Sequence, residues 1–453
     1  MQKLFGTDGI RARAGQFPLD SGTIFAIGQA IGEQLSGKIL IGQDSRISGP
    51  WIFGLLKSGI EENGRRIEDT GIMPTPAIAL LTQQSPCGGG VMISASHNSF
   101  EDNGIKIFGA NGQKLIEAEE SRIEGRIEEL IAHGDTPGEE PQRPNPPPPA
   151  PGSQVWSERY QSLLRDRFPE GRWLEGTRLV ADCANGAMSW LAPALLRSLG
   201  AEVCEIQTNP SGTNINAGCG AVHPGSLMDA VGQHEADLGV AFDGDGDRSL
   251  FVSADGRLID GDAVLLLMAR RMKTLGTLEP PTIIGTSMTN YSLEKTLGRE
   301  GIRLVRVDVG DRHVFKEMRS RGSLLGGEPS GHIIFSDFGL SGDGLLTTLR
   351  VCEAMVTAGS SLGELTDDWK AVPQLLQNVP VERKVPLETM PAFRQKLDEI
   401  SRSLDSHGRV VVRYSGTEEL LRVMIESDSD QKNEQLADEL ISVYRSELSR
   451  VGR

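Results

Sequence analysis

The 453-residue chain has few cysteines, no long apolar run and less positive than negative charge, and each shortage closes off a class of function. Its five cysteines, Cys87, Cys183, Cys204, Cys219 and Cys352, are scattered without CxxC spacing. An odd, dispersed set argues against both a disulfide framework and a zinc site and leaves ordinary buried or half-buried thiols. The chain lacks the roughly eighteen consecutive apolar residues that a spanning helix needs, so no membrane partner is expected. With 46 basic and 62 acidic residues the net charge is −16, which excludes a general electrostatic footprint for nucleic acid. An anionic ligand therefore requires a local cationic pocket. The opening MQKLFGTDGIRARAG carries no apolar core of a secretory signal, and the expected location is the cytoplasm.

What is present is a soluble, globular composition, 38% hydrophobic and 24% charged, in a chain long enough for about three domains. Ile24, Ile27, Gly28, Ile31 and Leu35 share one helical face ahead of a short apolar run from Lys38 to Gly42. The same grammar recurs. A helical pattern from Ile52 to Glu62 stops at Asn63-Gly64 before Ile67, and another from Trp190 to Leu199 stops at Gly200 before Val203. A third, Leu293 to Leu297 with Gly298 as its stop, precedes an apolar stretch from Ile302 to Val309. Repeated helix and strand pieces of this kind predict several α/β units with helices packed on largely parallel sheets. Residues 134–152, rich in proline, can supply neither ladder donors nor a helix interior and read as a linker. A helix from Val155 to Phe168 opens the next unit. The last eighty or so residues differ: a helix from Met390 to Leu404, strands at Arg409 to Arg413 and Leu421 to Glu426, and a terminal helix from Glu434 to Leu448 make a small α+β unit. The expected division is 1–152, 153–253, 254–370 and 371–453.

Four loops carry chemistry. In ISASHNSFEDNGIKIFG (93–109), Ser96 sits on a polar loop between strand-like pieces, open to attack a phosphorus, although Ser, Asn and Asp also build turns by bonding their own backbone. In DLGVAFDGDGDRSL (237–250), a strand ending at Phe242 is followed by Asp243, Asp245 and Asp247 with glycines between them. Glycine lets the loop curl until the carboxylates converge, and hard oxygen ligands at that spacing suit Mg²⁺. Left without a cation, carboxylates this close would repel. LLGGEPSGHIIF (324–335) presents Glu328, Ser330 and His332; a carboxylate and a hydroxyl at alternate positions can grip neighbouring sugar hydroxyls, while a polar hairpin tip is the plainer reading and His332 fits a structural role equally well. VVVRYSGTEELLRVM (410–424) places Arg413 at a strand end before Ser415, Gly416 and Thr417, with Arg422 on the next strand, which together make a phosphate cradle.

Two look-alikes fail on their letters. An EF-hand counted from Asp243 needs glycine at its sixth position and glutamate at its twelfth, where Arg248 and Ala254 stand. GEQLSGK (32–38) has P-loop spacing, but Ile39 replaces the required Ser or Thr, and the helix precedes the strand. A phosphatase using the first aspartate as nucleophile remains open at this point, as does a silent sugar-phosphate-binding protein.

Taken in this order over essentially the whole chain, the four loops resemble those of the α-D-phosphohexomutase superfamily. The resemblance implies a four-domain architecture, three related mixed α/β domains plus a C-terminal α+β domain around a central cleft. It implies Ser96 as a phosphoserine, and Asp243, Asp245 and Asp247 as Mg²⁺ ligands joined by a phosphoserine oxygen. Arg11 and Arg248 would lie near the transferring phosphoryl group, with Lys106 and His332 the candidates for proton transfer. Glu328 and Ser330 would clamp the sugar, and Arg413, Ser415, Gly416, Thr417 and Arg422 would hold the distal phosphate. LFGTDGIRARAG (4–15), TNINAGCGAVHP (213–224) and VDVGDRHV (307–314) are similar to signatures of the amino-sugar subgroup, which implies conversion of glucosamine 6-phosphate to glucosamine 1-phosphate through a sugar bisphosphate, and a homodimer. Ser99, Pro329, Tyr414 and Glu419 depart from the letters usual at those points, which leaves the phosphoryl chemistry untouched and bears on sugar choice.

Overall fold

The computed structural model describes residues 3–6, 8–134, 152–415 and 419–451. Apart from Gly134 and Gly152, the proline-rich stretch predicted as a linker lies outside the described residues. The chain forms two compact units, Met1–Thr286 with Val307–Thr366, and Ser287–Arg306 with Asp367–Arg453.

The first unit holds three sheets. In the first, the parallel strands Ile67–Ile72, Ile39–Gln43 and Gly89–Ile93 are extended by Asp102–Gly109, Gly9–Arg13 and Phe5–Gly6, all antiparallel. The second centres on Arg178–Asp182, parallel to Glu202–Ile206 and Leu238–Phe242, and continues antiparallel through Ser249–Ser253 and Leu258–Ile259. In the third, Thr282–Thr286 runs parallel to Leu325–Gly327, which forms a hairpin with Ile333–Phe335. The sheets are thus mixed rather than largely parallel. A strand with both faces covered reads as a continuous apolar run in either direction, so the sequence does not reveal its sense. The connections do: the loops 94–101 and 243–248 are too short for a crossover helix, and each must return the chain antiparallel.

Packing explains why these strand ends are rigid. Ile24, Ile27 and Ile31 of the helix Ser21–Gln34 close over Ile52, Leu56 and Ile60 of the helix Gly49–Glu62, against Ile39, Ile41, Val91, Ile93, Ile105 and Ile107 of the sheet. Each aliphatic side chain so buried contributes roughly 1.5–3 kcal/mol. Asp20 caps the first of these helices, its carboxylate accepting from the Thr23 N–H at 3.0 Å.

In the second unit, Gln374–Pro380, Leu420–Glu426 and Arg409–Tyr414 form an antiparallel sheet covered by the helices Pro391–Leu404 and Asp430–Val451 around Met390, Phe393, Val423, Ile425 and Leu440. Gln374–Pro380 escaped prediction because Gln377 and Asn378 interrupt its apolar residues, Leu376 is exposed and a proline ends it, so neither an apolar run nor a regular alternation marks it. Residues 287–306 carry the helix Tyr291–Arg299, which runs through Gly298 rather than stopping there; the left-handed turn falls at Gly301, φ 71°. The cysteines are free, four buried and Cys204 half-buried. Among the described residues, no helix is long and apolar enough to cross a membrane.

Candidate active site

The first unit brings together three of the four loops. Asp243 to Arg248 form the hairpin loop between Leu238–Phe242 and Ser249–Ser253, whose last rungs pair Phe242 with Ser249. Gly244 and Gly246 permit the curl: a β-carbon on Gly244 would lie 2.7 Å from the Ser96 carbonyl, and Gly246 has φ 70°. The side chains of Asp243, Asp245 and Asp247 are buried and offer oxygens all within 4.8 Å of one another. Ser96 follows the end of Gly89–Ile93 in a left-handed backbone, φ 51°. Its Oγ donates to Asp243 Oδ2 at 2.6 Å. Expected to stand open, Ser96 is 1% exposed, because its loop is folded beneath the aspartate hairpin.

Lys106 is on Asp102–Gly109, opposite Met92, and its alternation with the core residues Ile105 and Ile107 turns it to the other face, toward the aspartates. Fully buried, its Nζ lies 2.9 Å from Asp245 Oδ2, 3.0 Å from Asp8 Oδ2 and 3.6 Å from Asp247 Oδ2. Burial alone would lower its pKa; the carboxylates of Asp245, Asp8 and Asp247 outweigh burial and raise it, so the ammonium stays charged. The same logic divides the aspartates. Burial, together with Asp247 and Asp245, drives the Asp243 carboxyl well above its ordinary range. Asp247 is held below that range because Lys106, His332 and Arg248 overcome the cost of its burial.

Arg11, on Gly9–Arg13, pairs with Asp8, and Arg248 sits at the mouth of the hairpin loop with its Nε 3.9 Å from Asp247. Burial works against the Arg248 charge, yet Asp243, Asp247 and Glu328 raise its pKa. His97, beside the nucleophile candidate, is pushed down to about 4 by burial and by the charges of Arg248 and Arg11, and is neutral. His332 directs Nδ1 to Asp247 Oδ1 at 3.6 Å, while its Nε2 accepts from the Gly342 N–H at 3.0 Å. Although burial opposes it, the acidity of Asp247, Asp311 and Glu328 raises the ring to about 9. The Gly342 contact needs a lone pair on Nε2, so the geometry describes the neutral ring with its proton on Nδ1. Glu328 and Ser330 occupy the hairpin tip between Leu325–Gly327 and Ile333–Phe335; Glu328 Oε1 accepts from the Gly310 N–H at 3.1 Å and Ser330 Oγ donates to Oε2 at 3.4 Å.

Sequence reasoning missed the groups that bind these parts to one another. Lys114 pairs with both Asp8 and Asp311, and Asp311 lies 4.0 Å from His332 Nε2. Lys106, Asp8, Lys114, Asp311, His332 and Asp247 thereby close a ring of contacts, in which ammonium and carboxylate alternate and the imidazole links Asp311 to Asp247. Thr75 adds a hydroxyl donated to Asp245 Oδ2. Asp8 and Asp311 lie inside the segments 4–15 and 307–314 quoted above, which was the one available signal.

In the second unit, Arg413 and Arg422 face one another as register partners. Ser415 is buried and closes its hairpin by donating its N–H to Leu420 O at 2.8 Å. Gly416 and Thr417 lie outside the described residues.

The aspartate loop fits a divalent cation. Asp245 Oδ1 and Asp247 Oδ1 are buried without a hydrogen-bond donor, and three hard oxygen donors so close together are stable only around positive charge.

A serine held against a metal-competent carboxylate cluster, with lysine and arginines converging where mixed α/β sheets end, defines a phosphoryl-transfer enzyme. Family comparison makes that class specific. Models of phosphoglucomutase/phosphomannomutase match in order: alpha/beta/alpha domain I over residues 2–133, domain II over 159–256, domain III over 260–372 and the C-terminal domain over 376–443. A phosphoglucosamine mutase of Koribacter versatilis is 45% identical over 448 residues, 96% of this chain and 95% of its own. The chain belongs to the phosphoglucomutase/phosphomannomutase family, has its four-domain phosphohexomutase architecture, and is an isomerase. The fold agrees with a family protein of Burkholderia thailandensis, with TM-score 0.79 and 23% identity over 98% of each chain. It also agrees with an Aspergillus fumigatus N-acetylphosphoglucosamine mutase solved with GlcNAc-6P and magnesium, with TM-score 0.63 and 18% identity over 98% of this chain and 95% of that one.

Proposed function

We propose that this chain interconverts glucosamine 6-phosphate and glucosamine 1-phosphate in the cytoplasm, with Mg²⁺ at Asp243, Asp245 and Asp247 and a phosphoryl group carried on Ser96. The observation that carries the reading is the 2.6 Å contact between Ser96 Oγ and Asp243, which sets a nucleophile against the cation site. The full-length identity to a phosphoglucosamine mutase supports the amino-sugar substrate. The bound cation neutralises charge on the phosphoryl oxygens. A homodimer and the four-part division at 1–152, 153–253, 254–370 and 371–453 belong to the same reading, the latter supported by the four matched segments.

In the cycle, the P–O bond to Ser96 breaks as a free hydroxyl of the sugar monophosphate bonds to phosphorus, and that hydroxyl gives up its proton. The resulting bisphosphate reorients and returns its other phosphoryl group to Ser96, while the released sugar oxygen takes up a proton. Such transfer is chiefly positioning and charge stabilisation. Arg11 and Arg248 face the phosphoryl oxygens, and Lys106, a buried ammonium, gives a proton to the departing Ser96 oxygen and is then the base that takes the one the attacking hydroxyl releases, the roles reversing on the return step. His332 serves better as the orienting partner of Asp247, since Gly342 occupies its Nε2. Glu328 and Ser330 grip sugar hydroxyls. Arg413 and Arg422, like charges set opposite one another, suit a dianion between them and with Ser415, Gly416 and Thr417 hold the phosphate that is not reacting.

Phosphorus NMR tests this. The protein with Mg²⁺ and a trace of glucose 1,6-bisphosphate is given the 6-phosphates of glucosamine, glucose and mannose separately. Selective growth of glucosamine 1-phosphate is expected. Efficient turnover of glucose or mannose phosphate would move the substrate, and release of inorganic phosphate would replace the mutase by a phosphatase.

A further inference from the structure

Both backbone groups of Ser96 are held by buried residues outside the reacting groups, the N–H by Ser94 and the carbonyl by Arg46 and Asn216. Arg46, 1% exposed just beyond the end of Ile39–Gln43, donates Nη2 to Ser96 O at 2.8 Å and to Asn98 O at 2.9 Å. Its Nη1 reaches Asp102 O at 3.0 Å and also Ser99 O, and its Nε donates to Asp44 Oδ2 at 2.9 Å. The same Asp44 oxygen accepts from Ser94 Oγ at 2.6 Å, and Ser94 Oγ accepts from the Ser96 N–H at 2.9 Å. A second grip comes from the loop before the second sheet's central hairpin: Asn216 Nδ2 donates to Ser96 O at 2.9 Å and Asn98 O at 3.1 Å.

A guanidinium has five N–H donors, and all five of Arg46 are spent, four on backbone carbonyls of residues 96–102 and one on Asp44. It has nothing left with which to bind a phosphate. We infer that Arg46 and Asn216 are positioning residues of the phosphoryl transfer, which hold Ser96 in the left-handed conformation that aims its oxygen at Asp243. A serine at φ 51° is in a sparsely populated region and persists only where its surroundings fix it. The demand grows during the cycle, because a phosphoryl group adds roughly −1.5 to −2 charges beside buried carboxylates and pushes the loop away. Clamped from two sheets, the loop stays and the sugar bisphosphate does the turning. The segment 213–224 thus acquires a task, since Asn216 lies within it, itself left-handed at φ 58°.

The inference rests on Ser96 being the phosphoryl carrier, and the test separates the two. Full-length wild type, Arg46→Lys and Asn216→Ala are compared with Mg²⁺ and glucose 1,6-bisphosphate, by steady-state kinetics on glucosamine 6-phosphate and by hydrogen exchange of peptides covering 94–104. Lysine keeps the charge but cannot span four carbonyls. Arg46→Lys is expected to lower kcat about a hundredfold and Asn216→Ala about tenfold, as misplacing a reacting atom does. KM should stay within about twofold, because substrate contacts are intact. Exchange should quicken at 94–104 and nowhere else in the first sheet. Wild-type kcat in either folded variant overturns the inference, and so does a loss of kcat with faster exchange throughout the sheet, which marks a support of the fold at large. Should Arg46→Lys not fold, Asn216→Ala decides alone. A wild type without isomerase activity whose variants still show the local exchange effect would sink the mutase reading and leave the clamp standing.

Discussion

Ser96 Oγ and Asp243 Oδ2 meet at 2.6 Å although 147 positions separate them in the chain. The contact joins the ends of two different sheets, so the proposed carrier hydroxyl and the aspartate cluster meet only when both are folded. Ser96→Ala should therefore leave the urea unfolding midpoint close to wild type, because it removes one hydrogen bond worth about 1 kcal/mol. Turnover should fall by at least about 10³-fold, since the proposed nucleophile is gone and the hydroxyls of Ser94 and Thr75 are already spent on Asp44 and Asp245. Substantial mutase activity in the folded variant would eliminate the phosphoserine cycle.

Lys106 holds three carboxylates at once; without it Asp8 keeps Arg11 and Lys114 and Asp247 keeps Arg248, but the buried Asp245 loses the ammonium bonded to it. For Lys106→Met without divalent cation, the expected loss of stability is roughly 3–5 kcal/mol, the usual cost of stranding buried charge. Added Mg²⁺ should restore much of that loss, because the cation supplies positive charge to Asp245 and Asp247, while kcat stays down. Denaturation with and without Mg²⁺ measures this directly. A variant as stable as wild type in chelator would show that the carboxylates do not depend on the ammonium.

Gly331 turns the hairpin that carries Glu328 and Ser330, with φ 87° and room for no β-carbon: one would stand 2.2 Å from Ser249 O. Gly331→Ala should cost at least about 1–3 kcal/mol from backbone strain, and the clash adds to it. The displaced neighbour, Ser249, begins the strand that follows the aspartate loop. Weaker Mg²⁺ affinity should therefore accompany the loss of stability, read by isothermal titration. Unchanged affinity would mean that the two hairpins move independently.

How much of this was legible in the sequence depends on where the chemistry is written. Asp243, Asp245 and Asp247 are alternate letters with glycines between them, so convergence followed from local geometry. The elements were legible because Ile24, Ile27 and Ile31 repeat with a helical period while short apolar runs mark strands. Arg46 was not, because the carbonyls it holds lie 50 to 56 positions away and a carboxylate two residues before it is no different from a surface ion pair. Lys114 is a similar case, joined to Asp8 and Asp311 across 106 and 197 positions. Burial of Ser96 was also hidden, since polar loops read as exposed until another domain's hairpin is laid over them.

Asp343 gives the fold a predictable dependence on pH. Its carboxylate caps the helix Gly344–Ala358, accepting from the N–H groups of Leu345 at 3.0 Å and Leu346 at 2.9 Å, and it accepts from Tyr160 Oη at 2.8 Å. Those bonds favour the charged form, but burial outweighs them and raises the pKa from 3.8 to about 6. Between these values the folded chain holds a proton that the unfolded chain releases. This group's contribution therefore falls as pH rises from about 4 to about 6 and stays low above that. Asp343→Asn keeps an acceptor for the helix cap and cannot ionise, so it escapes the loss. Its stability relative to wild type should climb through that window by no more than about 3 kcal/mol, two pKa units or so converted at 1.36 kcal/mol each. Urea midpoints of both proteins from pH 4.5 to 7.5 provide the comparison. A constant difference would show that burial does not penalise the charge, and a drift in favour of aspartate would show that the cap and Tyr160 dominate it.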